Sequence, residues 1–210
     1  MSASSTDKGL LTPENCVVVF IDHQPRMFFG AAGIDRQALL DNALALAKAA
    51  KIFGVPVILT AIQPDGGAAN IIPQLLEVFP DLTPIERSSM NAWDCDEFVA
   101  AVKKTGRKNL VLAALWSEVC LAMLALQALT DGYAIYAVED ASGGASPLAR
   151  AAALRRIEQA GAVSVTALQV LLEFQRDWAR KEHYEEVMAV VRAHCGAFGQ
   201  SAEYAAACQR

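Results

Sequence analysis

Short unbroken apolar runs alternate along this chain with stretches whose apolar positions recur every three or four residues. Cys16-Val17-Val18-Val19-Phe20-Ile21 is continuous and rich in β-branched residues, as suits a strand buried on both faces. From Asp35 to Phe53 the pattern turns helical, with Leu39, Leu40, Ala43, Leu46, Ala47 and Ala50 on one side and Gly54 as a stop. A second strand is predicted over 55–60, with Pro56 near its start. A Pro64-Asp65-Gly66-Gly67 loop, a short helix through Leu75, Leu76 and Phe79, and a weak strand at Pro84-Ile85-Glu86 come next.

The second half repeats the alternation. A helix is predicted from Asp94 to Thr105, opened by an Asp94/Glu97 capping box and closed by Gly106. A strand over 110–115, a helix over 118–130, and a strand over 133–138 follow. Pro147 opens a helix that runs to Ala160. A strand over 162–166 and one or two helices from Leu168 to Ala193 complete the pattern. Six apolar strands alternating with helices predict an α/β fold: a three-layer α/β/α sandwich on an open, mostly parallel six-stranded sheet, Rossmann-like in layout. The expected organisation is a flexible tail over 1–11 and a single domain over 12–210. Its Ala-rich extension over 182–210 is expected to pack on a neighbouring subunit.

Composition removes several function classes. With 54% hydrophobic and 20% charged residues, the chain is too apolar to be disordered. No apolar stretch reaches the ~18 residues of a membrane-spanning helix. A net charge of −5 without a basic cluster argues against nucleic acid or anionic lipid as the partner. The apolar excess suggests a homo-oligomer that buries part of it between subunits. The polar first residues lack the apolar core of a signal peptide, so the expected address is the cytoplasm. Five cysteines, at 16, 95, 120, 195 and 208, form no C-x-x-C pair and predict no disulfide framework.

In a parallel sheet the site lies at the carboxyl ends of the strands. Asp22-His23-Gln24 ends the first strand, Arg87 the third, and Trp116-Ser117-Glu118-Val119-Cys120 the fourth. Cys120 falls in the first turn of a helix, where the dipole is expected to lower its pKa and backbone N–H groups to hold an oxyanion. Asp22 is positioned to take the thiol proton, and Arg87 to balance the charge. No G-x-G-x-x-G, Walker A or G-x-S-x-G segment is present.

These segments resemble the isochorismatase-like cysteine hydrolase family, and within it the YcaC-like branch. The resemblance rests on Val18 to Gln24, Ile85-Glu86-Arg87 with Asn91-Ala92-Trp93-Asp94, Trp116 to Cys120, and Glu139 to Gly143. Gln159-Ala160-Gly161-Ala162 and Gln175-Arg176-Asp177-Trp178 add to it. It implies a catalytic Asp22–Arg87–Cys120 set, with Arg87 where the wider family has Lys. An Arg keeps the charge but cannot shuttle a proton. The resemblance also implies a cis peptide between Trp116 and Ser117, an oxyanion hole from the backbone of Ser117 and Cys120, and an oligomer from a dimer up to an octamer. Zinc-binding members carry a D-x-H segment that is missing here, so neither a metal nor another cofactor is expected. Gln24, Phe28, Asn91, Trp93 and Trp116 are the candidates for binding substrate. His23 reads as a hydrogen-bonded structural imidazole, and Glu118 as a first-turn dipole partner.

The expected activity is metal-free hydrolysis of a small-molecule amide or related C–N bond through a thioester on Cys120. Two alternatives use the same fold: a thiol redox or peroxide-responsive protein, and a non-catalytic oligomeric scaffold.

Overall fold

The computed structural model describes residues 9–63 and 70–208, so the predicted loop at Pro64 to Gly67 lies outside the described residues. Strand β1 (Cys16–Ile21) is fully buried and has the predicted bounds. It leads through the short helix α1 (Pro25–Phe29) to α2 (Arg36–Ile52), where Asp35 caps the Ala38 N–H at 2.9 Å. Strand β2 (Val57–Ile62) starts after Pro56 and runs two residues beyond its predicted end. Helix α3 (Pro73–Val78) and strand β3 (Ile85–Arg87) complete the first half.

The second half holds α4 (Asp96–Lys104), β4 (Asn109–Ala114), a π-helical turn over Ser117–Leu121, and α5 (Ala122–Thr130). Then come β5 (Ala134–Val138), α6 (Pro147–Gln159), β6 (Val163–Val165), and helices α7 (Ala167–Gln175), α8 (Tyr184–His194) and α9 (Gly196–Ala207). The capping box at Asp94 does not form: Cys95 takes the cap position of α4, and the Asp94 carboxylate is drawn instead to Ser89 and Asn91.

All pairings among the six strands are parallel, in the order β3-β2-β1-β4-β5-β6. The chain builds outward from β1 in one direction and then restarts beside β1 with β4. The carboxyl ends of β1 and β4 therefore flank the switch point, where open α/β sheets form their crevice. Alternate residues of β1 face opposite layers. Val18 and Phe20 join Leu46, Leu75, Leu171 and Val187, while Val17, Val19 and Ile21 join Phe98, Leu121, Leu124 and Leu154. Helices thus cover both faces, which accounts for strands without polar alternation.

Parts of both terminal segments are held by the rest of the chain. Residues 9–11, placed in a flexible tail, are held: Leu11 is fully buried, its N–H donates to Glu173 at 2.6 Å, and Tyr136 donates to the Gly9 carbonyl. Helix α8 buries Val187 and Val191 against its own chain. The outward residues of α8 and most of α9 stay exposed. Among the described residues, no helix is long and apolar enough to cross a membrane.

Candidate active site

The end of β1 is bent by Asp22 itself. Its φ of 57° lies in the left-handed region, which Asp tolerates better than most side chains. Its N–H donates to the Thr60 carbonyl at 2.9 Å, and its carbonyl accepts from Gln24 N–H at 2.7 Å. Asp22 and His23 are both fully buried. His23 turns to the other layer, edge-on to Phe20, with Nε2 3.2 Å from the Ala141 carbonyl. Burial lowers its pKa to about 4, against the pull of the Ala141 and Ile21 carbonyls, so the ring is neutral. This is the structural imidazole expected from sequence.

Arg87 reaches Asp22 from two strands away. Its Nη2 donates to both Asp22 oxygens, at 2.6 and 2.7 Å, in an ion pair almost completely shielded from solvent. Its Nε donates to the Thr60 hydroxyl at 3.2 Å, and its Nη1 to the Ser89 carbonyl. The Thr60 hydroxyl in turn donates to the Ile85 carbonyl at 2.8 Å. Each guanidinium nitrogen therefore has an acceptor, as a buried cation requires. Thr60 was missed from sequence; the available signal was a hydroxyl at the end of an otherwise apolar strand.

Cys120 completes the cluster from the π-helical turn, 4% exposed. Its thiol lies within the electrostatic reach of Asp22 and Arg87. The expected lowering of its pKa is not found. Burial, followed by the charge and hydrogen bond of Asp22, pushes it up to about 12, against Arg87 and a backbone hydrogen bond with Trp116. Loss of water outweighs the favourable field, and the thiolate would in addition face the Asp22 carboxylate. Asp22, Arg87 and Cys120 are thus gathered at one place as a neutral thiol beside a buried, arginine-paired carboxylate.

The turn that carries Cys120 is fixed on several sides. Ser117 is corrected as an oxyanion donor: its N–H and its hydroxyl both donate to the Gly143 carbonyl, each at 2.7 Å. The cis peptide is also one bond earlier than expected, at Leu115–Trp116. Glu118 accepts the Ala145 N–H at 2.7 Å, tying the turn to the start of α6 rather than lying free at a helix end. Gly144 accommodates that carboxylate, since a Cβ there would lie 2.8 Å or less from Glu118 and Arg150.

The proposed substrate-binding residues separate into two groups. Trp116 and Phe28 stay beside the Cys120 turn, packed with Leu115 and Ala31, and the Trp116 indole donates to the Met27 carbonyl at 2.9 Å. Gln24 lies next to Asp22, but its amide is used on both the N–H and the carbonyl of Ile62. Trp93 and Asn91 belong elsewhere: the Trp93 indole donates to Asp131 and stacks edge-on to Tyr133, while Asn91 bonds Asp94 and Gln127. Both brace the far end of α5. Among the described residues, no three His, Cys, Asp or Glu side chains form a group that could hold a metal ion.

Comparison with known proteins identifies the family and the fold. The isochorismatase domain model matches residues 16–169. A probable hydrolase, YcaC of Escherichia coli K12, is 38% identical over 169 residues, covering 80% of this chain and 81% of the relative. The structure of YcaC from Pseudomonas aeruginosa with hexane-2,5-diol and covalent acrylamide superposes with a TM-score of 0.87 at 35% identity, covering 95% of this chain and 98% of the other. The structure of Escherichia coli YcaC, described as an octameric hydrolase of unknown specificity, gives 0.86 at 34% identity, with 94% and 97% covered. The chain belongs to the isochorismatase family of hydrolases.

Proposed function

We propose that this hydrolase cleaves small-molecule amides or related C–N bonds with Cys120 as nucleophile. The observation that carries this reading is the buried Asp22 carboxylate, clamped by Arg87 at the strand ends where the buried Cys120 thiol feels both charges. Asp22 takes the thiol proton as sulfur bonds to the substrate carbonyl carbon, so no free thiolate is needed beforehand. The tetrahedral oxyanion lies against the Cys120 backbone N–H. Asp22 then returns the proton to the leaving nitrogen as the C–N bond breaks, leaving a thioester. Water, deprotonated by Asp22, attacks the thioester carbon, and the proton passes to sulfur as the acid departs. Arg87 stays charged throughout and holds Asp22 in place. Each role falls to a residue of this chain, so the scheme needs no metal or cofactor.

Acrylamide is an electrophile that thiols attack, and its covalent presence in the Pseudomonas aeruginosa relative supports a reactive nucleophile in that protein. The octameric description of the Escherichia coli relative supports a homo-oligomer here, for which α9 and the outer side of α8 supply uncovered surface. The test is Cys120→Ala against a panel of small aliphatic and aromatic amides. Turnover by the native chain and none by the variant is expected; turnover that survives overturns the assignment of the nucleophile.

A further inference from the structure

We propose that Thr60 is a positioning residue of this site, its hydroxyl holding the Arg87 guanidinium in the one orientation that presents Nη2 to both oxygens of Asp22. The inference rests on the reading of Asp22, Arg87 and Cys120 as one functional unit.

The sheet order creates the requirement. Arg87 ends β3 and Asp22 follows β1, with β2 between them. Neighbouring strands lie about 4.8 Å apart, so the side chain must cross roughly 10 Å of sheet edge. It crosses over Thr60, whose carbonyl already receives the Asp22 N–H. Thr60 thus touches both partners, one through its backbone and the other through its hydroxyl.

The hydroxyl is itself oriented. Because it donates its proton to the Ile85 carbonyl at 2.8 Å, its lone pairs face the Arg87 Nε–H at 3.2 Å. Thr60 is fully buried and Arg87 is 5% exposed, so water is poorly placed to replace this acceptor. An ammonium in place of the guanidinium has no Nε–H to satisfy. Thr60 and Arg87 therefore form a matched pair: an arginine here needs the hydroxyl, whereas a lysine does not.

The test reads the pH profile of Cys120 alkylation by iodoacetamide, followed at peptide level by mass spectrometry. Arg87 draws the thiol pKa down, so loosening it raises that pKa. Thr60→Val keeps the side-chain shape and removes the acceptor. Its profile is expected to move up by as much as about one pH unit, or up to about tenfold in rate at fixed pH. Thr60→Ser should restore the native profile, and Thr60→Val should add nothing in an Arg87→Lys background. Thr60→Ala replaces the valine variant if the latter fails to fold.

An unmoved profile overturns the inference. So does a downward shift, the sign of a merely loosened core that lets water reach the thiol, or an equal effect in the Arg87→Lys background. Failure of the proposed function reads differently: the native chain would turn over no amide while the Thr60→Val shift persisted.

Discussion

The two ends of the central strand pair carry two buried thiols, and the same raised pKa stands in different surroundings at each. Cys16 opens β1 and Cys120 follows β4, and both thiols are pushed up to about 12, chiefly by burial. Cys16 donates to the Thr12 backbone carbonyl at 3.3 Å, which accepts a hydrogen bond but does not take the proton. Cys120 faces a carboxylate that can take it, with Arg87 behind. A raised thiol pKa therefore identifies neither a reactive nor an inert cysteine. The proton acceptor within reach does.

The largest test of this contrast replaces each thiol. Cys120→Ala should lower kcat/KM on any amide the chain turns over by about 10⁴-fold or more. Cys16→Ala should leave kcat/KM within about twofold and cost about 1–2 kcal/mol in urea unfolding. Equal losses of activity would erase the distinction between the two ends.

The next test removes the acceptor. Asp22→Asn should cut turnover by about 10²–10⁴-fold, the usual worth of a positioned base. It should also destabilise the fold by about 3–5 kcal/mol, since Arg87 is left buried without its partner. Alkylation of Cys120 at pH 8 should nevertheless become faster, because Asp22 is one of the groups that raise its pKa while Arg87 lowers it. Cys16 in the same sample reports alkylation that proceeds through unfolding, and the gain at Cys120 should exceed the gain at Cys16. If turnover and alkylation at Cys120 fall together, the carboxylate is not what holds the proton.

His23 extends the comparison to acid stability. Its pKa falls from 6.5 to about 4 on folding, so its contribution is present above pH 6.5 and is lost as pH drops through about 4. Roughly 3 kcal/mol of unfolding free energy is expected to vanish across that window. His23→Gln should flatten this part of the profile measured by urea unfolding, and an unchanged slope would assign the acid sensitivity to other groups. The smallest effect is expected from Trp116→Phe, which loses the indole bond to the Met27 carbonyl. About 1 kcal/mol of stability and a severalfold change in KM, with kcat little altered, should follow. A kcat loss as large as that of Asp22→Asn would place Trp116 in the chemistry itself.

The sheet and the location of the site were legible because continuous β-branched runs such as 16–21 admit few other structures. The carboxyl-end rule then reduced the search to a few residues. Less legible was whatever depended on two distant groups sharing one hydrogen bond. Ser117 stood at a plausible position for an oxyanion donor, but Gly143, far along the chain, takes its N–H. Asp94 is a local case of a different kind: it had the spacing of a cap, but its near neighbours Ser89 and Asn91 compete for the carboxylate and take it. Thr60 read as the end of a strand because nothing local shows that an arginine will lie across it. The pKa of Cys120 was misjudged for a related reason: the helix start was visible in sequence, whereas the degree of burial was not.

The neutral thiol has a consequence for wear. Oxidation to sulfenic acid proceeds through the thiolate and favours exposed groups. A cysteine that keeps its proton until a substrate carbonyl arrives offers little to peroxide between turnovers. Such a resting state separates hydrolytic reactivity from oxidant sensitivity, and it weighs against a peroxide-sensing role for the same residue. In the proposed scheme, the carboxylate that would make Cys120 a nucleophile on demand also acts as its safety catch.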